Sequence, residues 1–306
     1  MNVAIIGAGL MGSSIAQVFL VAGHDVIVHD RDQGALEESS NRIRDIYGLL
    51  KLEPDLDRLV LEEDLEQAVT NADFVIEAVI EDLEVKKDLF RRLSESAPAK
   101  AILASNTSAI PITLIAAGAN NPGRIVGTHF WNPPWAVDLV EVVQGEQTSP
   151  ETVSKMMQVL SDLQMQPVHV KRDVPGCIGN RLQHALKREA IALVENGICD
   201  AETVDTVVKS GFGQRLAALG PLEQSDMLGL ELTLRIHETL IPDLDRTPEP
   251  APLLRKRVAE GNTGMATGKG FRNWTPESAA EVRLRLSESL AAQGRARIAR
   301  LHGADQ

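Results

Sequence analysis

The feature that most constrains the fold is a glycine-rich turn near the N terminus. Residues 7–12 read GAGLMG, directly follow the apolar run 3–6 and lead into an apolar segment that reaches residue 22. In the pattern G-x-G-x-x-G, the first glycine allows a tight turn, the second lets the backbone approach a pyrophosphate, and the third allows close packing of helix on strand. Between a strand and a helix, this pattern predicts a dinucleotide-binding βαβ unit. The residues expected next to the cofactor are Gly7, Gly9, Leu10, Met11 and Gly12.

A carboxylate after the second apolar run favours one of the two nicotinamide dinucleotides. Asp30 stands eighteen residues after Gly12, at the end of the run 26–29. In this position a carboxylate accepts hydrogen bonds from the adenosine ribose hydroxyls and repels the 2′-phosphate of NADP. The neighbouring Arg31 could accommodate that phosphate. Because the negative charge of Asp30 outweighs it, we expect NAD as the cofactor.

Short apolar runs alternate with helical periodicity over the first 178 residues. Strands are expected at 3–6, 25–29, 74–78, 101–104, 124–128 and 138–143. Most of these runs are too continuously apolar for a sheet with a wet face, which predicts a doubly wound parallel sheet covered on both sides. Later in the chain the strand signals stop, and helices are expected at 180–196, 201–209, 222–240, 251–260 and after the cap Thr275-Pro276. The sequence therefore predicts an α/β chain with a Rossmann domain at 1–178 and an all-α domain at 179–306.

Composition excludes several classes of partner. The net charge is −12, and no basic stripe offsets the repulsion from nucleic-acid phosphates or anionic lipids. No apolar run approaches the roughly 18 residues of a membrane span. The two cysteines, Cys177 and Cys199, have neither a disulfide framework nor metal-ligand spacing, so we expect no metal and a reducing, cytoplasmic location.

One of the seven histidines has a candidate chemical partner. His129 comes at the end of the expected strand 124–128, and Glu141 lies within the next one, 138–143. A strand, a turn and a returning strand can bring these two side chains together. A carboxylate on one imidazole nitrogen fixes the tautomer and raises the basicity of the other nitrogen. We therefore expect His129 to remove an alcohol proton while a hydride leaves for the nicotinamide.

With these motifs the sequence resembles the 3-hydroxyacyl-CoA dehydrogenase family. The matching segments are the glycine turn, 104–108 (ASNTS), 127–133 (GTHFWNP), Glu141, 175–181 (PGCIGNR) and 268–271 (GKGF). The resemblance covers nearly the whole chain, from residue 7 to about residue 274. It implies an NAD-dependent oxidoreductase that oxidises a 3-hydroxyacyl substrate to the 3-oxo product, and a homodimer formed through the helical domain.

The resemblance also implies roles for single residues. His129 matches the general base, and Glu141 matches its orienting carboxylate. Ser108 matches the serine that hydrogen-bonds the substrate hydroxyl, and Asn180 the residue that completes the substrate site. Glu81 and Lys86 match residues near the nicotinamide ribose. Asn106 and Asn132 are also expected at the cofactor, although Asn132 could support the substrate instead. Two alternatives stay open, because Ser108 could cap a turn and Glu81 with Lys86 could be a surface pair.

Two departures from the family bear on the substrate. Segment 32–66 contains eleven acidic and four basic residues, a surface that would repel the phosphates of coenzyme A. The segment 132–135 (NPPW) resembles branches of the superfamily that oxidise free hydroxy acids such as gulonate, carnitine or pyridine-ring alcohols. There Trp131 and Trp135 could narrow the pocket or stack on a ring, and Asp138 replaces the usual cation. A small hydroxy acid is therefore favoured over a CoA thioester such as 3-hydroxybutyryl-CoA.

Two alternatives oppose this reading. Coenzyme A could still be held by Arg42, Arg44 or Lys51 on a helix face. A protein of another class is also conceivable, since lens crystallins resemble this family and a catalytically silent NAD-binding or sensor protein would share its fold. The intact set of candidate catalytic residues favours the enzyme.

Overall fold

An eight-stranded sheet forms the centre of the N-terminal half of the computed structural model, which describes residues 1–303. Its strands are β1 Asn2–Ile6, β2 Asp25–His29, β3 Leu59–Glu62, β4 Phe74–Glu77, β5 Ile102–Ser105, β6 Ile125–Phe130, β7 Leu139–Val143 and β8 Gln166–Val170. They lie side by side in the order β3-β2-β1-β4-β5-β6-β7-β8. All neighbours are parallel except β6 and β7, which run antiparallel. The first six positions have the doubly wound order, and the strand order reverses between β1 and β4.

Helices cover both faces of this sheet. Those between the strands are α1 Leu10–Val21, α2 Gln33–Leu50, α3 Leu65–Val69, α4 Leu83–Ser96, α5 Ile112–Ile115 and α6 Pro150–Asp162. On one face, α1, α2 and α6 pack on residues such as Ile5 and Val28. On the other, α3, α4 and α5 pack on residues such as Ile6 and Leu103. Successive strand residues thus enter opposite cores, which is why the runs are apolar throughout. The doubly wound fold is confirmed.

Two strands, β3 and β8, were not predicted from the sequence. β3 and β8 lie at the two edges of the sheet, where one side of the strand has no neighbour. In β8 the only buried residue is Val170, and in β3 the middle residues Val60 and Leu61 are exposed. An edge strand buries less surface than a central one, so its apolar signal is weaker.

The chain divides into two compact units. The first contains Met1–Ile178 together with the chain from Arg285 onward, and the second contains Gly179–Leu284. The first division coincides with the expected end of the Rossmann domain at residue 178. The helical domain was expected to continue to residue 306. The observed division differs there, because the last helix ends in the first unit. There Ala291 and Ile298 are buried in a cluster with Trp135 and Leu50.

The second unit is helical, as expected. Its helices are α7 Gly179–Glu195, α8 Ala201–Ser210, α9 Pro221–Leu228, α10 Leu230–Leu240 and α11 Pro252–Ala259, and α12 Pro276–Leu301 begins in it. The single helix expected at 222–240 is two helices, because Gly229 has a φ of 92° between α9 and α10. The expected cap of α12 is present, since the Thr275 hydroxyl accepts a hydrogen bond from the backbone of Ser278. Within residues 1–303, no helix has the length and apolar character needed to cross a membrane.

Candidate active site

The glycine turn between β1 and α1 leaves no space for a side chain at its first and last glycines. Gly7 has a φ of 110°, and a Cβ there would lie 2.7 Å from the carbonyl oxygen of Ala78. A Cβ on Gly12 would collide with the carbonyl oxygen of Gly7, so helix and turn are in backbone contact. Both positions therefore require glycine, because any side chain would collide with backbone atoms. Gly9 has no atom within 4 Å of its Cβ position, so its side faces open space.

The first turn of α1 is available to a phosphate group. Its N-cap is Gly9, which makes no side-chain hydrogen bond to the helix, and the first turn contains no acidic residue. Free N–H groups and the positive end of the helix dipole attract an anion there. Leu10 is 58% exposed and Met11 is half-buried at this end of the helix. These two residues stay predicted cofactor neighbours, placed beside the turn.

A cleft of about 910 Å³ opens at the carboxyl ends of β1, β2 and β4. It is lined by the glycine turn, by Asp30 and Arg31 from the end of β2, and by residues 78–80 after β4. Asp30 Oδ2 accepts a hydrogen bond of 3.0 Å from the backbone of Ala8, which ties the carboxylate to the turn. The cleft lies at the point where the strand order reverses, the usual dinucleotide site of this fold. Its size, its open helix end and its carboxylate fit NAD.

Lys86 is buried in an ion-pair network behind this cleft. Its side chain is 1% exposed, and its Nζ lies 2.5 Å from Glu77 Oε1 and 3.3 Å from Glu81 Oε2. Glu77 is completely buried, whereas Glu81 is 41% exposed and faces solvent. Lys86 and Glu81 are thus not a surface pair, and the ammonium of Lys86 is turned toward two carboxylates. Sequence reasoning missed Glu77, although a lone carboxylate at the end of an apolar strand is a usable signal.

Glu81 organises the turn that carries Ser108. Its Oε1 accepts hydrogen bonds from the Thr107 hydroxyl at 2.5 Å, the Ser108 backbone at 2.9 Å and the Ala109 backbone at 3.1 Å. Burial raises the pKa of Glu81, but the Thr107 hydroxyl, the charge of Lys86 and the backbone donors outweigh it, so the pKa lies below its ordinary value. The Ser108 side chain is exposed, and it does not cap the next helix, α5, whose N-cap is Pro111. The Ser108 turn is therefore held by an ionised carboxylate.

Asn106 joins two loops at the same edge of the sheet. Its backbone donates to the carbonyl oxygen of Glu77 at 2.8 Å, and its Oδ1 accepts a hydrogen bond of 2.9 Å from the backbone of Phe130. The side chain thus connects the end of β5 to the residue that follows His129. The predicted contact of Asn106 with the cofactor stays a prediction, since its amide oxygen already has this structural partner.

The pair expected from the strand-turn-strand pattern is present. His129 and Glu141 face each other in the antiparallel register of β6 and β7, and His129 Nδ1 lies 2.8 Å from Glu141 Oε2. Both side chains are buried, at 6% and 1% exposure. Glu141 also accepts hydrogen bonds from the backbone of Ile178 at 2.7 Å and from Trp131 Nε1 at 3.3 Å. A carboxylate on Nδ1 directs the Nδ1 proton toward itself and leaves Nε2 as the acceptor.

Among residues 1–303, the side chains that lie close enough together to bind a metal ion are found at the His129–Glu141 pair. They are His129, Glu141 and Cys177, whose ligand atoms all lie within 4.8 Å of one another. Burial, with the charges of Glu141 and Asp173, raises the pKa of Cys177 to about 12. The thiol therefore stays protonated at neutral pH, whereas a metal binds the thiolate. The chemistry of this donor set favours a histidine-carboxylate pair over a metal site.

The remaining candidate residues lie in different places. Asn180 is in the first turn of α7, in the second unit. Asn132 is exposed in the loop after β6. Trp135, expected to narrow the pocket or stack on a substrate ring, is instead buried against Leu50 and Ala136. The idea that it lines the substrate site is therefore wrong, because its ring is part of a hydrophobic cluster.

Two of the three cations considered as ligands of coenzyme A, Arg42 and Arg44, have other partners. Arg42 forms an ion pair with Glu38 and donates a hydrogen bond of 3.1 Å to the carbonyl oxygen of Ala8. Arg44 donates to the hydroxyl of Ser40 at 2.9 Å. Arg42 thus supports the glycine turn.

Comparison with known proteins identifies the family. The model of the 3-hydroxyacyl-CoA dehydrogenase NAD binding domain matches residues 2–174, and that of the C-terminal domain matches residues 176–274. The 5-formyl-3-hydroxy-2-methylpyridine 4-carboxylate 5-dehydrogenase of Mesorhizobium japonicum is 34% identical over 95% of this chain and 96% of its own length. A probable 3-hydroxybutyryl-CoA dehydrogenase of Deinococcus radiodurans is 38% identical over 89% of this chain and 99% of its own length.

Solved structures agree with this assignment. A crystal structure of a dehydrogenase with the same pyridine-carboxylate name, described as an NAD+-dependent dismutase, superposes with a TM-score of 0.88 at 34% identity and covers 97% of this chain and 98% of its own. An (S)-3-hydroxybutyryl-CoA dehydrogenase from Ralstonia eutropha gives a TM-score of 0.73 at 30% identity, over 90% and 99% of the two chains. The cofactor of this chain is NAD. The chain is an NAD-dependent oxidoreductase that acts on CH–OH groups and belongs to the 3-hydroxyacyl-CoA dehydrogenase family.

Proposed function

We propose that this enzyme oxidises the hydroxyl group of a small 3-hydroxy acid, without coenzyme A, to the 3-oxo acid. The observation that carries the proposal is the buried hydrogen bond of 2.8 Å between His129 Nδ1 and Glu141 Oε2. A neutral imidazole held in this tautomer presents Nε2 as a proton acceptor. An alcohol can be oxidised only when a base takes its proton, so this pair supplies the chemistry that the cofactor lacks.

His129 and Glu141 have different roles in the removal of the proton. When bound, NAD accepts the hydride that leaves the carbon bearing the hydroxyl group. The hydroxyl proton moves to His129 Nε2, and the imidazolium that forms is stabilised by the carboxylate of Glu141. Glu141 keeps its orientation because the backbone of Ile178 and the indole of Trp131 both donate to it. The base is therefore fixed before the substrate arrives.

Two further residues are proposed to position the substrate. The hydroxyl of Ser108 is exposed at the carboxyl edge of the sheet, on the turn that Glu81 organises. In this role Ser108 donates to or accepts from the reacting hydroxyl group. Asn180, in the first turn of α7, is proposed to bind the substrate carbonyl or carboxylate through its amide. The contribution of Asn180 stays a prediction of the family resemblance.

A small acid is favoured over a CoA thioester on three grounds. The segment 32–66 is strongly acidic, and Arg42 is engaged with Glu38 and the glycine turn instead of facing outward. The pyridine-carboxylate relative, whose name contains no coenzyme A, matches the chain over a larger share than the 3-hydroxybutyryl-CoA relatives do. Its structure also superposes with the higher TM-score, 0.88 against 0.73. The match in length and fold and the acidic surface thus both favour a compact substrate without the phosphates of coenzyme A.

A substrate panel tests the proposal. With NAD saturating, NADH formation is measured with 3-hydroxybutyryl-CoA, free 3-hydroxybutyrate, gulonate, carnitine and an aromatic alcohol with a ring carboxylate. We expect a higher kcat/KM for at least one free acid than for the thioester. A higher kcat/KM for the thioester would overturn the substrate assignment, and no turnover of any compound would favour a catalytically silent protein.

Substitution of the base tests the mechanism separately. His129→Gln retains a hydrogen-bonding group but no basic nitrogen, so kcat should fall by about 10²- to 10⁴-fold. NADH affinity should stay near that of the unaltered enzyme, because His129 lies outside the dinucleotide cleft. His237→Gln, at an exposed position of α10, is the matched control. Retained turnover in His129→Gln would refute the assigned base.

We also infer a homodimer formed through the second unit. None of the residues of α7 to α11 is buried. Large apolar side chains on these helices are exposed, among them Leu222 at 80%, Leu182 at 61% and Leu234 at 60%. Monomers rarely expose a surface of this kind, and a second copy of the chain would cover it. Light scattering should give twice the chain mass, and Leu234→Glu should shift the protein toward monomer; a monomeric unaltered protein would contradict the proposal.

A cytoplasmic location is proposed from the cysteine chemistry. Cys177 and Cys199 are both free thiols. Unpaired cysteines are typical of a reducing compartment. Cell fractionation followed by detection of the chain tests this location.

A further inference from the structure

The second half of α12 packs on the loop that follows His129. Both family models end by residue 274, so this helix lies beyond the part of the chain that defines the family. From Arg285 onward it belongs to the first unit. Its buried residues Ala291, Gly294, Arg297 and Ile298 follow helical spacing and form one face. That face contacts the C-terminal end of α2 and the loop 131–138.

Gly294 is the point of closest approach. A Cβ at this position would lie 2.7 Å from the backbone carbonyl oxygen of Trp135 and 2.7 Å from Leu50 Cδ2. Because one of these atoms is backbone, a side-chain rotation cannot relieve the collision. The loop and the helix therefore fit only while residue 294 is glycine.

Arg297 adds a buried charge to this contact. It is completely buried, its Nη1 donates to the carbonyl oxygen of Leu163, and its Nε lies 3.7 Å from Asp138 Oδ1. Arg300 donates a hydrogen bond of 2.8 Å to the other oxygen of this carboxylate, Asp138 Oδ2. Removing one partner of a buried ion pair leaves an uncompensated charge. The two arginines thus hold the helix to the residue that directly precedes β7, the strand of Glu141.

The other end of the same loop touches the candidate base. Trp131 Nε1 donates to Glu141 Oε2 at 3.3 Å, and the Trp131 ring lies 5.7 Å from the His129 ring, centre to centre. Between the two ends, the backbones of Ala136 and Val137 both donate to the carbonyl oxygen of Pro133 at 3.0 Å. These hydrogen bonds connect the part of the loop that contacts α12 with the part that contacts Glu141.

We propose that Gly294 and Arg297 are positioning residues for the active site: they fix Trp135 and Asp138, and through the loop 131–138 they hold Trp131 on Glu141. This makes the end of α12 part of the catalytic apparatus without contact with substrate or cofactor. The inference rests on the proposed role of His129 and Glu141 for its kinetic readout only.

The first experiment compares one substitution at two helical glycines. In Gly294→Ala the new Cβ must displace Trp135, whereas Gly48 on α2 has no atom within 4 Å of its Cβ position. Alanine favours a helix more than glycine, so Gly48→Ala should keep its kcat and gain stability. A displaced active-site loop lowers turnover strongly, and we expect Gly294→Ala to lose about 10²-fold in kcat with unchanged Kd for NADH. The rate is expressed per NADH-binding site, so that misfolded protein does not count.

A second pair of variants avoids a new steric clash. Arg297→Met keeps the buried volume but removes the charge, and Arg285→Met makes the same change at an exposed position of the same helix. Arg297→Met should lower kcat per site, while Arg285→Met should not. Equal kcat per site in Gly294→Ala, Arg297→Met and the unaltered enzyme would overturn the proposal and leave α12 a purely structural element.

A substrate-free readout separates this inference from the proposed function. The ring signals of His129 in a nitrogen-15 histidine NMR spectrum report on its contact with Glu141 and Trp131. They should move in Gly294→Ala and stay in place in Gly48→Ala, even if the unaltered enzyme oxidises none of the panel. Unmoved signals in both variants would contradict the positioning role, whereas failure of the panel alone would contradict only the proposed function.

Discussion

The backbone amide of Ser108 donates a hydrogen bond of 2.9 Å to the carboxylate of Glu81. Family resemblance assigns Glu81 to the cofactor and Ser108 to the substrate, and the structure joins the two directly. Lys86 holds Glu81 in place, because its ammonium pairs with Glu81 and with the buried Glu77. A change in this network should therefore affect stability and both binding sites together.

Removal of the buried ammonium should cost far more than removal of its exposed neighbour. Lys86→Met leaves the buried carboxylate of Glu77 without its counter-ion, and we expect a loss of about 3 to 5 kcal/mol in the free energy of unfolding. Lys87→Met is the control, because Lys87 pairs with Glu84 at the surface. Such a surface pair contributes at most about 1 kcal/mol. Urea unfolding measures both values, and equal losses would contradict the assignment of a buried network.

The carboxylate of Glu141 should be needed for turnover even when its shape is kept. Glu141→Gln can no longer stabilise an imidazolium at His129, and kcat should fall by about 10²- to 10⁴-fold. Glu146→Gln changes an exposed carboxylate shortly after β7 and should leave kcat unchanged. Steady-state kinetics at saturating NAD gives the comparison. A kcat within twofold of the unaltered enzyme, about 0.4 kcal/mol in activation free energy, would remove Glu141 from the mechanism.

The choice between NAD and NADP should depend on one charge. Asp30→Asn keeps an oxygen that can accept the hydrogen bond of Ala8 but removes the repulsion toward a 2′-phosphate. The preference for NAD in kcat/KM should fall by about 10²-fold. Asp45→Asn, at an exposed position of α2, removes a charge away from the cleft and should keep the preference. If Asp30→Asn keeps the preference for NAD, other residues of the cleft determine the choice of cofactor.

Acid should abolish the stabilising effect of Glu81. The pKa of Glu81 lies below its ordinary value of 4.5, so its carboxylate stabilises the folded chain above that pH. This contribution is lost as the pH falls through the lowered value of the folded state, because protonation removes the acceptor of Thr107, Ser108 and Ala109. The difference in unfolding free energy between the unaltered enzyme and Glu81→Gln should therefore be largest at neutral pH and shrink in acid.

The matched variant for this pH series is Glu84→Gln, which changes an exposed carboxylate three residues later, in the first turn of α4. It should differ little from the unaltered enzyme at every pH. A difference for Glu81→Gln that stays constant down to strongly acidic pH would show that its ionisation is not coupled to folding.

The parts of the molecule that the sequence predicted are those with strong local signals. The glycine turn, the central strands and the His129–Glu141 pair were all expected and are present. Each depends on a short pattern: a turn that only glycine can make, a continuous apolar run, or two strands joined by one turn. Local rules of this kind can be read without knowledge of the rest of the chain.

The parts that were missed depend on distant contacts. Trp135 looked like a pocket residue because it follows the motif of His129, yet its environment is set by Gly294, far along the chain. Glu77 was not among the predicted site residues, and its role appears only with Lys86 beside it. The edge strand β3 owes its place to pairing with β2. No local pattern encodes which distant residue will pack on which.

The path of the chain has a consequence for its synthesis. The chain leaves the first unit at Ile178 and re-enters it at Arg285. A ribosome therefore completes all eight strands of the sheet long before it makes the helix that covers Trp135 and neutralises Asp138. Until then the nascent chain exposes that apolar cluster and an unpaired carboxylate. Because domains generally fold from the N terminus during synthesis, the first unit can be completed only after the second half of α12 has been translated.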